Sequence, residues 1–529
     1  MMWLAAQKWA VRISGLVTLV VLTRHITPRE FGVVAAAMTF IPVLYLLADL
    51  GFSTYLLQAD DVDRRSLSTA FWASAAAGVV LSAALWFGAP LLADAFRNAD
   101  LRDVLRSLVL AVVPTVLSAV PMALLRRSMR FRAVALQSLV AALLAQVVAV
   151  VLALHGGGVW ALVGQVVTTQ WVVAVLAWRS ARWVPSLELS PRLFREMAVF
   201  GVRVSSVDLV AALRGWVESW IITVTLGPAA LGLLNIAQRL VQVAQELTAV
   251  SLTPVSTVVF AKMRSSMDRL RSSYLKALGV AYAVVAPVMV IIVVTAPGLV
   301  PALFGEQWRQ SVAPAQALAV AGIVTIGAML DHGLFYGLGR PGTWLAYAVA
   351  VDATSIAITA VAVRWGLVGV TVGFVCLALL ATPARWVLVA RIVGIPVRAV
   401  ARPFGTVLVP SVIATGVGVL LYRVLSGTEG GWDVLAVTVV ATAAFDLVLL
   451  RLTAGSIMRD VLGLLPVPER YVNWAARFLR LRPSRLRDRP RVIAGRSRRP
   501  CGEPFRLDHL SETTVRSPDE PPDTIPGVV

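Results

Sequence analysis

The stretch "LTRHITPREFGVV" (Leu22–Val34) joins two long apolar runs near the start of the chain. Two hundred positions later the chain reads "IITVTLGPAALGLL" (Ile221–Leu234), with a proline and a glycine at the same spacing, again between two apolar runs. Proline suits the first turn of a helix, and glycine allows two membrane helices to approach closely. The repeated turn therefore predicts a chain built from two related helical halves.

The composition of the chain is typical of a membrane protein. Its 529 residues are 58% hydrophobic and 15% charged, whereas soluble domains carry roughly 25% charged residues. Glycine and proline are spread through the apolar runs, as membrane helices tolerate. We therefore expect an all-α integral membrane protein. The first residues, "MMWLAAQKWAVRISG", show neither the basic beginning nor the cleavage site of a signal peptide.

The charge and the cysteine content argue against several function classes. The net charge is +19, which we interpret as arginine placed beside anionic lipid rather than as a nucleic-acid surface. The two cysteines, Cys376 and Cys501, lie far apart, and the chain has only four histidines. We therefore expect neither a disulfide framework nor a metal site, and no cofactor.

About fourteen apolar segments are long enough to cross a bilayer, which requires about 20 residues each. They lie near residues 9–26, 31–53, 69–93, 104–125, 134–154, 158–178, 197–225, 229–260, 276–303, 313–338, 343–363, 367–390, 404–425 and 432–451. The links after the fourth and eighth segments, "RRSMRFR" and "KMRSSMDRLRSS", are basic, whereas alternate links such as "HGGG" and "LGPAALG" are neutral or nearly so. Arginine-rich links lie in the cytoplasm, which predicts that both termini are cytoplasmic.

A second landmark supports the repeat. The segment "GGGVWALVGQ" leads into the sixth span and "WGLVGVTVGF" leads into the twelfth, which aligns Gly158 with Gly366. Six spans separate the matched features, so both copies face the same side of the membrane and the repeat is parallel. Transporters built from repeats place the substrate site between the halves and work by alternating access. The alternative is that a favourable helix–helix link arose twice without a repeat.

The repeat divides the chain into four parts. We predict a six-helix lobe over residues 1–180, a second six-helix lobe over residues 197–392, two additional transmembrane helices over residues 403–451 and a basic cytoplasmic tail over residues 452–529. In the tail, "ERYVNWAARFLRLR" has the spacing of an interfacial amphipathic helix, and the proline-rich remainder is expected to be disordered. We expect the tail to face anionic lipid, with a specific protein partner as the alternative.

The seventh span carries ionisable side chains, which are costly in lipid and usually face a cavity or a partner. At about 100° per residue, Arg203, Arg214 and Glu218 fall within roughly 60° of one another. Arg214 and Glu218 also form an i,i+4 pair. The alternative is that this pair only holds helices together.

The eighth span carries a second polar stripe, made by Asn235, Arg239, Gln242 and Glu246. The simplest position for both stripes is a water-filled cavity between the two halves, to which Arg24 of the first span also contributes. A cavity lined by arginine suits an anion, and phosphate and diphosphate are natural ligands of guanidinium groups.

Several ionisable residues in the spans are candidates for coupling transport to a proton or sodium gradient. They are Glu218, Glu246, Asp331, His332 and Asp352. Histidine ordinarily titrates near neutral pH, but a single histidine near the end of a span is more often an ordinary hydrogen-bonded residue. The sequence alone does not choose between the two ions.

Four segments, in order along the chain, carry a family resemblance: "TPREFGVVAAAMTF", "LADLGFSTYLLQ", "LGPAALGLLNIAQRL" and "FGEQWRQSVAPAQALAVAG". The chain resembles the bacterial polysaccharide (oligosaccharide-lipid) flippases of the multidrug/oligosaccharidyl-lipid/polysaccharide exporter superfamily over residues 1–450. The resemblance implies a flippase that moves undecaprenyl-diphosphate-linked oligosaccharide across the inner membrane for exopolysaccharide or cell-surface glycan assembly. It also implies two six-helix lobes around a central cationic cavity and coupling to an ion gradient.

Several positions depart from the family pattern. Glu218 stands where the family often has an aspartate, Asn235 where it often has a tyrosine, and Ala261 where a proline is common. Arg24 fits the pattern, but its neighbours do not. These departures leave the identity of the substrate and of the coupling ion open.

Other functions remain as alternatives. A drug/cation antiporter or a lipid II flippase of the same superfamily would share the fold, although the excess of cationic cavity residues favours an anionic lipid. A membrane glycan polymerase or glycosyltransferase would need a catalytic carboxylate pair on a substantial loop, and a scaffold would act through the basic tail. We expect no enzyme activity. The expected partners are polyprenyl-diphosphate-linked oligosaccharide and anionic lipid, with a glycan polymerase and glycosyltransferases as further candidates, in the bacterial cytoplasmic membrane.

Overall fold

Helices joined by short connections make up the described chain. The computed structural model describes residues 2–59, 61–249, 260, 263, 266–426 and 431–464, and these contain helices and no strand. The α-helices are α1 (Met2–His25), α2 (Pro28–Met38), α3 (Phe40–Asp49), α4 (Phe52–Gln58), α5 (Arg64–Ala95), α6 (Asp100–Arg127), α7 (Phe131–Leu154), α8 (Val159–Ala181), α9 (Pro191–Leu226), α10 (Pro228–Ala249), α11 (Met267–Phe304), α12 (Val312–Thr325), α13 (Gly327–Gly337), α14 (Pro341–Ala362), α15 (Gly366–Val393), α16 (Val397–Ser426), α17 (Trp432–Thr453) and α18 (Gly455–Leu464). Two 3₁₀ helices, Glu306–Ser311 and Val363–Trp365, precede α12 and α15.

Side-chain caps fix where some helices begin. The side chain of Thr27 accepts a hydrogen bond from the N–H of Glu30, the carboxylate of Glu30 accepts one from the N–H of Thr27, and Pro28 occupies the first turn of α2. Asp63 caps α5 in a similar way, because hydrogen bonds from the hydroxyl and the N–H of Ser66 reach its carboxylate and hold the pKa of Asp63 below its ordinary value. Such caps satisfy backbone donors that the first turn of a helix leaves unpaired.

Helices overlap every apolar segment predicted from the sequence. By length and composition, the described residues contain ten candidate membrane spans, and one of them, Pro341–Val393, runs through both α14 and α15. The chain is therefore a multi-pass, all-α membrane protein. The count of fourteen spans stays a prediction.

We divide the helices along the chain into two groups, which also pack against each other, most extensively through α2 and α10. In the first helical group (α1–α8), α6 packs against α5 and α8, and α7 packs against α8 and α1. In the second helical group (α9–α17), α11 packs against α12, α16 and α17, while α14 packs against α9 and α15. The lobe boundaries given above stay a prediction.

The two copies of the repeated turn pack against each other. A Cβ atom on Gly32 of α2 would overlap the carbonyl oxygen of Pro228, and a Cβ atom on Gly232 of α10 would overlap the carbonyl oxygen of Pro28. Glycine is required at both positions because any side chain would collide with backbone. The contact confirms that both turns lie at the same end of the molecule, as a parallel repeat predicts.

The second landmark also has equivalent structures in the two groups. Gly158 directly precedes α8 and Gly366 opens α15, with φ angles of 49° and 72°. Both angles lie in the left-handed region, which glycine adopts at little steric cost. The matched glycines therefore have positive φ angles at equivalent places, at the starts of α8 and α15.

The helices after the repeats extend further than predicted. The helix α16 begins at Val397, and α18 forms where the sequence indicated the start of the cytoplasmic tail. Ile457 of α18 packs over Gly279 of α11, where an added Cβ would come within 3.1 Å of the isoleucine side chain. The amphipathic helix predicted over residues 469–482, and the remainder of the tail, lie outside the described residues.

Candidate functional site

The molecule has two ends, at which the helical groups meet. The proline end carries Pro28 and Pro228, where α2 and α10 begin. The basic end carries Gly51, which follows α3, and Arg127, which closes α6. Because α9 and α10 run between these ends, their polar stripes lie between the two sets of contacts.

One guanidinium joins two carboxylates inside the second helical group. Arg214 of α9 donates from Nη1 to Oε2 of Glu218 at 2.8 Å, and its Nε lies 2.8 Å from Oδ1 of Asp352 on α14. The hydroxyl of Ser355, also on α14, donates to Oε1 of Glu218 at 2.5 Å. These four residues are called the Arg214 cluster below. The predicted i,i+4 pair is present, and α14 contributes the other two members.

The charges of the Arg214 cluster do not cancel. Two carboxylates share one guanidinium, and the side chains of Glu218 and Asp352 are 9% and 16% exposed, while that of Arg214 is 32% exposed. A buried charge is costly unless it is paired. The cluster therefore has the chemistry to take up a proton or a small cation, and Arg214 presents an open edge to an anion.

The helix α10 presents a polar face. Gln238, Arg239 and Gln242 are exposed, Asn235 is half-buried, and Gln242 donates to Oε1 of Glu246 at 2.9 Å. An exposed arginine is costly in lipid and usually faces water or a partner. This face has the composition that the predicted cavity requires.

Arg12 links the first helical group to the second. Its Nε lies 3.0 Å from Oε2 of Glu246, and its Nη1 donates to the carbonyl oxygen of Glu246 at 2.6 Å. Glu246, a predicted coupling residue, is therefore engaged in a contact between the groups.

Hydrogen bonds join the two groups at the proline end. The carbonyl oxygen of Thr23 accepts bonds from Nε1 of Trp308 at 2.9 Å and from Nε2 of Gln307 at 2.6 Å. Arg24, which is exposed, donates from Nη2 to the carbonyl oxygen of Ala302 at 3.0 Å. Arg24 therefore contacts the second helical group at the proline end, and its place in the cavity stays a prediction.

A close backbone contact joins the groups at the basic end as well. A Cβ atom on Gly201 of α9 would overlap the carbonyl oxygen of Leu50, and one on Gly51 would overlap the backbone of Gly201. Nearby, the hydroxyl of Tyr55 donates to Oε1 of Glu196 at 2.9 Å. The groups are therefore in contact at both ends in this conformation.

Arg203 and Arg214 share a face of α9 but not a position along it. Eleven residues separate them, which corresponds to about 16 Å along the helix axis. Arg203 is exposed and lies two residues after Gly201, near the basic end. The angular prediction grouped the two arginines, but the axial rise of the helix separates them.

Two of the predicted coupling residues lie apart from the Arg214 cluster. Asp331 of α13 is 1% exposed, with Oδ2 at 2.8 Å from Nε of Arg385, and its Oδ1 accepts a hydrogen bond from the hydroxyl of Tyr274. His332 is exposed, and its ring centroid lies 4.4 Å from that of Tyr336. Asp331 is thus part of the core of the second group, whereas His332 is exposed.

Sequence reasoning missed three residues of these networks. Ser355 carries no charge, and hydroxyls are common in membrane helices, so nothing distinguishes it in the sequence. Arg385 is an isolated charge in the twelfth predicted span, which is a detectable signal. Its partners Asp331 and Tyr274 lie on two other helices, so spacing along one helix cannot identify them.

The chain has relatives among proteins of known name. It is 24% identical over 371 residues to the lipopolysaccharide biosynthesis protein WzxC of Escherichia coli (strain K12), covering 68% of this chain and 74% of the relative. It is 25% identical over 292 residues to the succinoglycan biosynthesis transport protein ExoT of Rhizobium meliloti (strain 1021), covering 55% and 59% of the two chains.

A solved structure shares the fold. The lipid II flippase MurJ, in an inward closed conformation, matches with a TM-score of 0.70 and 12% identity, over 87% of this chain and all of the other. The shared arrangement includes both helical groups, since only a small part of this chain lies outside the match.

A family model matches the chain across both copies of the repeated turn. The model of the family described as "Polysaccharide biosynthesis protein" matches residues 21–313, which is more than half of the chain and includes α2, α9 and α10. The protein with the paired glycine contacts and the Arg214 cluster therefore belongs to the polysaccharide biosynthesis protein family.

Proposed function

We propose that this protein is a flippase that moves a polyprenyl-diphosphate-linked oligosaccharide across the bacterial cytoplasmic membrane by alternating access. One observation carries the proposal: the two helical groups meet at both ends through backbone contacts at glycine, with arginine-bearing helices between them. Opening an end would separate these close backbone contacts together with the buried side chains packed beside them, such as Phe31 and Trp308 at the proline end. Opening one end at a time would expose the polar faces of α9 and α10 to each side in turn.

The arginines supply the recognition of the substrate in this proposal. The diphosphate is the part of such a lipid that lipid chains cannot solvate, and guanidinium groups bind phosphate oxygens through paired N–H donors. Arg203 near the basic end and Arg214 and Arg239 further along would form successive contacts for the diphosphate. The names of WzxC and ExoT, which refer to polysaccharide biosynthesis and to transport, support a glycan as the cargo.

The Arg214 cluster is the proposed site of coupling to a proton or sodium gradient. When a diphosphate competes for Arg214, Glu218 and Asp352 lose their shared cation and require another positive charge. Glu246 would respond in the same way if Arg12 moved with the first helical group. Asp331 and His332 remain secondary candidates, since Asp331 is held by Arg385.

The orientation, lobes and partners are part of the same proposal. The basic end would face the cytoplasm with both termini, and the lobes would cover residues 1–180 and 197–392, followed by two more helices over residues 403–451. The tail over residues 452–529 would contact anionic lipid. A glycan polymerase and glycosyltransferases would act on the cargo before or after transport, and the flippase itself would catalyse no covalent step.

The proposal is tested by glycan export in cells that depend on this protein. Arg203→Ala, Arg214→Ala and Arg239→Ala are expected to lower export, whereas Arg102→Ala, an exposed arginine paired with Asp103, is the matched control. Membrane levels of each variant are measured by immunoblot. Export that persists in all three cavity variants would overturn the proposed recognition of the diphosphate.

A further inference from the structure

A pocket at the proline end lies beside the hydrogen bond from Arg24 to Ala302. It has a volume of about 420 Å³ and lies between the last turns of α11, the 3₁₀ helix Glu306–Ser311 and the facing ends of α16 and α17. Sites for small molecules typically measure roughly 300–1,000 Å³. The pocket is thus large enough for a ligand of one or two rings.

An ion pair forms one wall of the pocket. Arg309 donates from Nε to Oε2 of Glu306 at 2.7 Å and from Nη2 to Oε1 at 2.9 Å, and both side chains are largely exposed. The two-point geometry orients the guanidinium and the carboxylate in one plane. The remaining N–H donors and oxygen lone pairs are available to a ligand that offers hydroxyl groups, and the pair has no net charge with which to attract an ion.

Two aromatic side chains also line the pocket. Trp432, at the start of α17, is 59% exposed, and Tyr422 of α16 lines the same pocket. Gly298 makes room for Tyr422, since a Cβ atom there would lie 2.5 Å from the tyrosine hydroxyl. Ser426 adds a hydroxyl group to the lining. Large aromatic surface left open beside polar groups is typical of a binding site.

We propose that this pocket is a saccharide-binding subsite that takes a pyranose ring with adjacent hydroxyl groups. A pyranose has an apolar face of C–H groups, which suits an aromatic ring, and an edge of hydroxyl groups, which suits the Glu306–Arg309 fork. Both features are combined here in a neutral pocket. The nature of the cargo rests on the function proposed above, but binding of a sugar can be measured without transport.

The position of the subsite fits a role on the side of the membrane opposite the cytoplasm. Ala302, which lines the pocket, is also the residue whose carbonyl oxygen accepts the hydrogen bond from Arg24 of the first helical group. A glycan leaving between the groups at the proline end would pass the rim of this pocket. The subsite would then hold a sugar of the glycan while the diphosphate still occupies the arginines.

The test is saturation-transfer NMR on the full chain in lipid nanodiscs, with methyl β-glucopyranoside and methyl β-galactopyranoside as probes. Nanodiscs avoid glycoside detergents, whose head groups would compete. We expect saturation of the ring C–H protons with the wild type. Trp432→Ala and Arg309→Gln are expected to weaken binding by about tenfold or more, while Trp432→Phe, which keeps an aromatic ring, retains it.

The control variants change a tryptophan and an arginine at other positions on the surface. Trp160 is 48% exposed at the start of α8, at the same end of the molecule, and Arg102 is an exposed arginine. Trp160→Ala and Arg102→Gln are expected to leave binding unchanged. Equal binding by Trp432→Ala and the wild type would overturn the subsite and leave Trp432 as an interfacial anchor. A wild type that flips lipid but binds neither glycoside would overturn the subsite alone, whereas sugar binding without flipping supports the subsite and contradicts the transport proposal.

Discussion

Gly32 of α2 and Gly232 of α10 form a reciprocal contact, in which each glycine faces the carbonyl oxygen of the proline that opens the other helix. The two copies of one sequence turn thus bind each other across the boundary between the helical groups. A second contact, between Gly51 and Gly201, lies at the opposite end. The groups therefore touch at both ends in this conformation, and the proposed transport cycle would open each contact in turn.

The contact at the proline end is predicted to be intolerant of a methyl group. In Gly32→Ala the new Cβ meets backbone, which cannot rotate away, so α2 and α10 must separate. We expect this change to destabilise the closed proline end by about 1–3 kcal/mol. The readout is maleimide labelling of Thr23→Cys, a fully buried position, in a background with Cys376→Ser and Cys501→Ser.

Gly88→Ala is the control for this prediction, because a Cβ atom at Gly88 meets nothing within 4 Å. Labelling of the cysteine at position 23 should rise in Gly32→Ala and Gly232→Ala but not in Gly88→Ala. Equal labelling in all three variants would mean that the glycine contact does not hold the proline end closed.

A change in the Arg214 cluster is predicted to impair ion coupling while leaving substrate binding intact. Glu218→Gln removes the excess negative charge while keeping a polar side chain of similar shape, so gradient-driven flipping should fall by about tenfold or more. Binding of the lipid diphosphate through Arg214 should persist. Flipping is measured in proteoliposomes with and without an imposed proton or sodium gradient.

Asp103→Asn serves as the matched control, since Asp103 is exposed and pairs only with its neighbour Arg102 among the described contacts. If Glu218→Gln responds to the gradient as strongly as Asp103→Asn does, the cluster is not the coupling site, and Asp331 or His332 takes its place as the leading candidate.

The Arg385–Asp331 pair is predicted to support the fold rather than to bind cargo. Both side chains are almost completely buried, at 2% and 1% exposed, so removing one partner leaves an uncompensated charge in the core. Asp331→Asn and Arg385→Gln should each destabilise the protein by about 3–5 kcal/mol. Breaking the exposed Arg29–Asp100 pair with Arg29→Gln should cost about 1 kcal/mol or less.

Thermal unfolding in nanodiscs, followed by the intrinsic fluorescence of tryptophan, distinguishes these cases. A normal melting temperature together with lost transport in Asp331→Asn would contradict the structural role and favour coupling through Asp331.

The repeated turn was predictable from the sequence because it leaves a local mark. Pro28 and Gly32 return at a fixed offset, and the helices begin at those prolines. That the turns also bind each other was not predictable, since a glycine in a turn suits many close approaches. Packing between distant segments depends on how whole helices are arranged, which local spacing does not report.

The site was partly predictable for the same reason. Arg214 and Glu218 lie on one helix, so their i,i+4 spacing identified the pair. Asp352 was identified as a buried charge, but its pairing with Arg214 joins two helices 138 positions apart in sequence. Helical angle alone placed Arg203 with Arg214, although the rise of the helix keeps them apart.

The most direct test of the account is flipping of a purified polyprenyl-diphosphate oligosaccharide by the purified protein in proteoliposomes. Lipid that reaches the outer leaflet is quantified with an external glycosidase. The account predicts that the wild type and Arg102→Ala flip the lipid and that Arg214→Ala does not. Transfer no faster than in protein-free vesicles, or unchanged transfer in Arg214→Ala, would contradict it.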